Sequence, residues 1–240
     1  MTELPQVATS SPVVSLRSQR VMLVLLLPAA ALLAASLAGQ VLKYGFNHDH
    51  VFGLVNLFDV DGEMNLPTWY SAATLLLAAA LLAIIGRVHS VRRDGDARYW
   101  FGLAVLFLCV STDEASFIHE LLNPALRQTR FLPALLFSGW VIPGMALTVV
   151  VATLYAGFVR RLSPAVRRWF VLAAILYLGG ALGVEMASAA HAFHYGRANL
   201  AYAVWTTVEE ALEMAGVAVF VYALLRQLET EGPVAFRIGD

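Results

Sequence analysis

Apolar residues run along this chain in six stretches, 21–42, 67–85, 100–122, 132–159, 169–190 and 198–225. Each is long enough to cross a hydrocarbon layer as one helix, which takes about 20 residues. The segments between them are short, and the chain shows no repeat, low-complexity tract or long linker. This pattern predicts an all-α protein: an integral membrane bundle of about six transmembrane helices, forming a single membrane domain over residues 1–240.

Composition strengthens that expectation. Hydrophobic residues make up 59% of the chain and charged residues 14%, against roughly 25% charged in an average soluble domain. The net charge of −1 points to no nucleic-acid partner. The placement of the cations carries more information than their sum. Arg17 and Arg20 precede the first span, Arg87, Arg92, Arg93 and Arg98 separate the second from the third, Arg160, Arg161, Arg167 and Arg168 separate the fourth from the fifth, and Arg226 and Arg237 follow the sixth. The alternate segments hold only Lys43, Arg127, Arg130 and Arg197. By the positive-inside bias both termini are expected in the cytoplasm, which makes this a multi-pass protein of the cell (inner) membrane with lipid as its surroundings. Arg17 to Arg20, an apolar run and Ser36-Leu37-Ala38 together have the form of a secretory signal, but an even number of spans with both ends inside requires that the first helix be retained. The one cysteine, Cys109, falls mid-span, where inert packing is expected.

Against this apolar background the acids stand out, because an unpaired charge in hydrocarbon costs several kcal/mol or must change its ionisation. Asp113, Glu114 and Glu120 fall on the third span, Glu185 on the fifth, and Glu209, Glu210 and Glu213 on the sixth, with His119, His191 and His194 nearby. At about 1.5 Å per residue, Asp113 lies roughly 20 Å from Trp100, Glu185 roughly 24 Å from Trp169, and Glu210 about 12 Å from Tyr202. Three helices thereby place carboxylates in one layer of the outer half of the bilayer. At about 100° per residue, Glu209, Glu210 and Glu213 share one arc with Thr206. Thr112, Asp113, Ser116, His119 and Glu120 share another, with Glu114 turned about 100° from Asp113.

Carboxylates and imidazoles that converge from antiparallel helices suit an oxygen- and nitrogen-ligated metal, because the cation offsets their mutual repulsion. The expected ligands are Asp113, Glu114, His119, Glu185, His191, Glu210 and Glu213, holding one or two ions of iron, manganese or zinc. Glu209 is the candidate general base, and Thr112, Ser116, Ser188 and Thr206 would orient the ligands. The chemistry would be metal-dependent hydrolysis or oxidation of a lipid or other apolar substrate. Bundle sites with Glu-x-x-His on two helices hold metal pairs; here those positions read Glu210-Ala211-Leu212-Glu213 and His191-Ala192-Phe193-His194. Three alternatives use the same residues: a proton-coupled transporter or binding protein with the carboxylates as a relay, a b-type cytochrome with haem between His119 and His191 or His194, and a structural hydrogen-bond network. Glu209-Glu210 resembles the adjacent glutamates of intramembrane glutamate proteases, which implies water activation by paired carboxylates. Those families carry a basic residue three positions on, where this chain has Glu213, so the likeness ends at the pair.

Two features border the outer face. Residues 44–66 carry His48, His50, Asp59, Asp61 and Glu63 around an apolar stretch with near-helical spacing, expected as a short interfacial helix. If this segment folds back over the bundle, His48, His50 or Asp61 would close the site. Pro143-Gly144 is expected to kink the long fourth span.

Overall fold

The computed structural model describes residues 17–48, 51–121, 123 and 134–232. His50, Arg127, Arg130 and Arg237 lie outside these ranges, as does the side chain of Glu120. The described residues are helical, with no strand among them. In chain order the helices are α1 (Ser18–Phe46), α2 (Leu54–Phe58), α3 (Leu66–Val91), α4 (Ala97–Ser116), α5 (Val141–Arg161), α6 (Pro164–Leu178), α7 (Glu185–Tyr195) and α8 (Leu200–Glu231). A π-helical segment, Gly179–Val184, joins α6 to α7, so that Pro164–Tyr195 is one continuous rod of 32 residues. Short 3-10 turns occupy Val51–Gly53, His119–Leu121 and Ala134–Leu136.

Local chemistry fixes three of the helix starts. Asn65 caps α3 by accepting from the Thr68 N–H, with Pro67 in the first turn; Ser163 caps α6 ahead of Pro164; Asn199 caps α8 by accepting from the Tyr202 N–H. Four rods are long and apolar enough to cross a membrane: Ser18–Phe46, Leu66–Val91, Val141–Arg161 and Pro164–Tyr195. Of the other two long helices, α4 carries Asp113 and Glu114 of the acidic layer and α8 carries Glu209, Glu210 and Glu213, while Glu185 lies on the rod Pro164–Tyr195.

Although less apolar than those four, α8 is the axis of the bundle, packing against α1, α3, α6, the π segment and α7. From Gly216 to Leu224 every residue of α8 is buried, which is what a helix at the centre of a bundle requires on all its faces. Trp100 is fully enclosed there, meeting the rings of Phe158 and Phe170 edge-on at centroid distances of 4.9 and 6.0 Å, while Phe107 stacks on Phe220 at 4.6 Å. Polar clamps close this end of the bundle. Arg92 pairs with Glu231, His89 lies 2.9 Å from Asp94 and 3.2 Å from Glu231, and Arg161 reaches Asp96 at 2.5 Å. The ends of α3, α5 and α8 are thereby gathered with the start of α4, which brings the basic segments of the chain to one end.

Two boundaries differ from expectation. The third span stops at Ser116 instead of 122, because Phe117 adopts the left-handed conformation (φ 54°, ψ 37°) and turns the chain. The helix of the fourth span begins at Val141, after the 3-10 turn Ala134–Leu136, so Pro143 sits in its first turn, where no kink arises.

Candidate functional site

The site is organised by a close crossing between the rod Pro164–Tyr195 and α8. At Gly180 a β-carbon would stand 2.7 Å from the Glu209 carbonyl oxygen and 2.9 Å from Cγ of Glu213. One step along the crossing, a β-carbon on Gly216 would stand 2.7 Å from the Tyr177 backbone nitrogen. Only hydrogen fits at either place, and the contact brings the α8 backbone onto the π segment. A π turn carries an extra residue relative to an α turn and is found mostly at functional sites. Here it lies immediately before Glu185.

Beyond the crossing the acids gather. The Ser188 side chain, 1% exposed, lies 3.2 Å from Glu185 Oε2 and 3.3 Å from Glu209 Oε2, and 3.0 Å from the Glu185 carbonyl oxygen. Ser188 Oγ thereby bridges the Glu185 and Glu209 carboxyls. Glu213 lies within electrostatic range of Glu210, Glu114 and Glu185, and Glu210 within range of Glu114, Asp61 and Glu185. Among the described residues no Lys or Arg forms an ion pair with Glu114, Glu185, Glu209, Glu210 or Glu213.

The α4 end contributes differently from the helical-wheel expectation. Because the chain turns at Phe117, His119 folds back onto Asp113: the His119 N–H donates to Asp113 Oδ1 at 2.8 Å, and Nδ1 meets Oδ2 at 2.7 Å. The imidazole also lies 4.9 Å from the Trp140 ring. Asp113 is thus occupied in orienting His119, whereas Glu114, expected to point elsewhere, is the α4 acid that acts on Glu210 and Glu213. Thr112 and Ser116 are exposed, and the Thr112 hydroxyl donates to the Leu108 carbonyl, so neither supports the acids. His191 is held by Asn199 (Nε2 to Oδ1, 3.0 Å), the α8 cap, and locks the α7–α8 corner. Thr206 is buried but donates to the Ala203 carbonyl. His194 is exposed.

The segment between α1 and α3 does fold back. Its 3-10 turn and α2 form where the interfacial helix was expected; Val55 is buried against α1 beside Gly39, and the Val60 N–H donates to Ser36 Oγ at 3.1 Å. This fold carries Asp61 to the acidic layer, where its Oδ1 accepts from the Tyr202 hydroxyl at 3.2 Å. Surrounding protein pushes the Asp61 carboxyl up from 3.8 to about 7, aided by Asp59 and Glu185 and opposed by Arg197 and the Tyr202 hydrogen bond. The residue keeps an exposed edge, so it exchanges protons with solvent directly. A raised acid means that the folded protein holds a proton which the unfolded chain has released, so stability falls as pH rises from about 4 to about 7. The difference between wild type and Asp61→Asn in thermal unfolding across that window isolates this slope; curves that run parallel would refute the raised value.

One participant was not legible as such in the sequence: Tyr177 on α6 lies within electrostatic range of Glu213, Glu114, Glu210 and Asp113, and as a phenol in an apolar run it was the available signal. Asp61 was expected at the site only on condition that residues 44–66 fold back, which they do. No three His, Cys, Asp or Glu side chains among the described residues stand ready-made around a metal position, so a metal would be held only after carboxylate side chains turn towards it. A family model described as Domain of unknown function (DUF8692) matches residues 21–228, from within α1 to near the end of α8. No curated protein and no solved structure matches the chain.

Proposed function

The chain belongs to this family, Domain of unknown function (DUF8692), and we propose that it is a six-span, multi-pass protein of the cell membrane, with both termini in the cytoplasm, that carries out metal-dependent chemistry on a lipid or other apolar substrate. The membrane placement is supported by the four long apolar helices and by the apolar side chains they leave exposed, among them Leu23, Val24 and Leu27 on α1 and Val149, Val150 and Leu154 on α5. The other two spans are α4 and α8, whose acids Asp113, Glu114, Glu209, Glu210 and Glu213 are part-buried against the bundle. The basic end of the bundle is then the cytoplasmic one.

The observation that carries the functional reading is the convergence of Glu114, Glu185, Glu209, Glu210, Glu213 and Asp61 from four segments, with no Lys or Arg among the described residues paired to the five glutamates. Such a group calls for a cation. The Asp113–His119 pair fits the same reading, since a carboxylate on one ring nitrogen is how a metal-ligating histidine is oriented. Glu114, Glu210 and Glu213 with His119 are the proposed ligands, and Glu209, supported by Ser188, the proposed base. Bound zinc would favour hydrolysis; iron or manganese would favour oxidation. A second reading, a proton relay serving transport, is favoured by the Ser188-bridged Glu185–Glu209 pair and by Asp61 at the solvent edge.

Elemental analysis of detergent-purified protein separates the two. Near-stoichiometric iron, manganese or zinc, lost in Glu213→Ala and His119→Ala, is the expected result. Folded, metal-free protein that acidifies or alkalinises vesicles with solute movement would replace this reading with the relay.

A further inference from the structure

A cavity of about 180 Å³ lies beside the acidic layer, where the end of α1, the folded-back segment and the start of α8 meet. Its wall carries Gln40, Lys43, Asp59, Asp61, Arg197 and Tyr202. Among the described residues neither Lys43 nor Arg197 lies within 4 Å of a carboxylate; each sits over a ring, Lys43 over Tyr44 at 5.1 Å and Arg197 over Tyr202 at 5.8 Å. Gln40 is the second observation. It is 4% exposed, it lines the cavity, and its side-chain amide meets no hydrogen-bond partner among the described residues. Its amide atoms are not among the fully enclosed ones, so they open onto the cavity, where a ligand can meet them.

Two cations, an amide and two acids round one cavity match a ligand that is itself a dipole of full charges. We propose that this cavity binds a phosphate-ammonium zwitterion of the ethanolamine phosphate type, with the phosphate on Lys43, Arg197 and the Gln40 amide and the ammonium on Asp59 and Asp61. Two cations beside one anion suit the greater charge and the additional acceptor oxygens of a phosphate better than a carboxylate, and two carboxylates favour an ammonium that donates N–H bonds over a quaternary one that has none. The same chemistry exists as a lipid headgroup and as a free solute. The cavity's position at the ends of two spans places it at headgroup depth. The inference rests on the membrane placement proposed above, not on a metal, so it survives the failure of the metal reading.

The test uses the full chain in detergent micelles, analysed by native mass spectrometry with phosphatidylethanolamine, phosphatidylcholine or phosphatidylglycerol, and by titration with O-phosphoethanolamine. Phosphatidylethanolamine should be retained about tenfold over the other two, equivalent to about 1.4 kcal/mol, and Arg197→Ala and Asp61→Asn should each remove the preference. Gln40→Glu, close to the same shape but repelling phosphate, should weaken retention while thermal unfolding confirms the fold. Binding of O-phosphoethanolamine without lipid preference supports the site and assigns the ligand to solution. Equal retention of all three lipids with no response to O-phosphoethanolamine, or a preference that ignores the substitutions, would overturn it.

Discussion

Gly180→Val should unseat α8 from the π segment and dismantle the acidic layer in one step. The new side chain meets the Glu209 carbonyl and the Glu213 stem, and a backbone atom cannot swing aside as a flexible side chain can. Overpacking of this kind costs about 1–3 kcal/mol, or roughly 2–12 °C in melting temperature for a chain of this size. Because the displaced residues belong to the site, bound cation should be lost with it. Gly183→Ala is the control: it lies in the same segment, nothing stands within 4 Å of its β-carbon, and its melting temperature should hold or rise slightly. Circular dichroism of the two variants in detergent decides the matter, and a Gly180→Val protein as stable as wild type would mean that the helices do not cross as closely as described.

The second large effect concerns charge. If a cation offsets the repulsion among Glu114, Glu210 and Glu213, removing it with a chelator should destabilise the wild type. At free metal 100 times the Kd, the bound ion contributes about 2.7 kcal/mol, or about 5–10 °C. Glu213→Gln should respond with opposite sign in the two states. It weakens metal binding, lowering the melting temperature in added metal, yet removes one repelling charge, raising it in chelator. A structural hydrogen-bond network predicts no such crossing, because a neutral amide in place of a protonated carboxyl behaves alike with and without metal. Melting curves of both proteins in metal and in chelator read the outcome directly.

The long helices were legible because hydrocarbon-length apolar runs admit few other structures; α1, α3, α8 and the rod Pro164–Tyr195 follow the expected runs with their ends shifted by a few residues. The acids on α8 were legible too, since helix periodicity alone puts Glu209, Glu210 and Glu213 on one arc. What escaped depends on contacts that periodicity does not contain. Phe117 adopts its left-handed turn where Asp113 captures His119, so a wheel drawn through residue 119 grouped Thr112 and Ser116 with the acids although both are exposed, while it did set Glu114 apart from Asp113. The π segment has a sequence trace in Gly179, Gly180 and Gly183, but only the close approach of α8 to Gly180 gives that trace a meaning. Asp61 enters through a tertiary contact at Ser36 and Val55, which a reading of local acidic spacing could not supply.

The π segment also sets the angular phase of everything after it. One residue more per turn is a small insertion held in the middle of a straight rod, and an insertion can be undone. Were the segment to run on as ordinary α-helix with all its residues kept, Glu185 and Ser188 would arrive rotated by about 100°, facing away from Glu209, whereas excising one residue along with the π turn would leave their bearing nearly unchanged. The rod works as a dial: its bearings are the glycine contacts and the cap at Asn199, and its setting is the wide turn that absorbs one surplus residue and so keeps one carboxylate in register with the next.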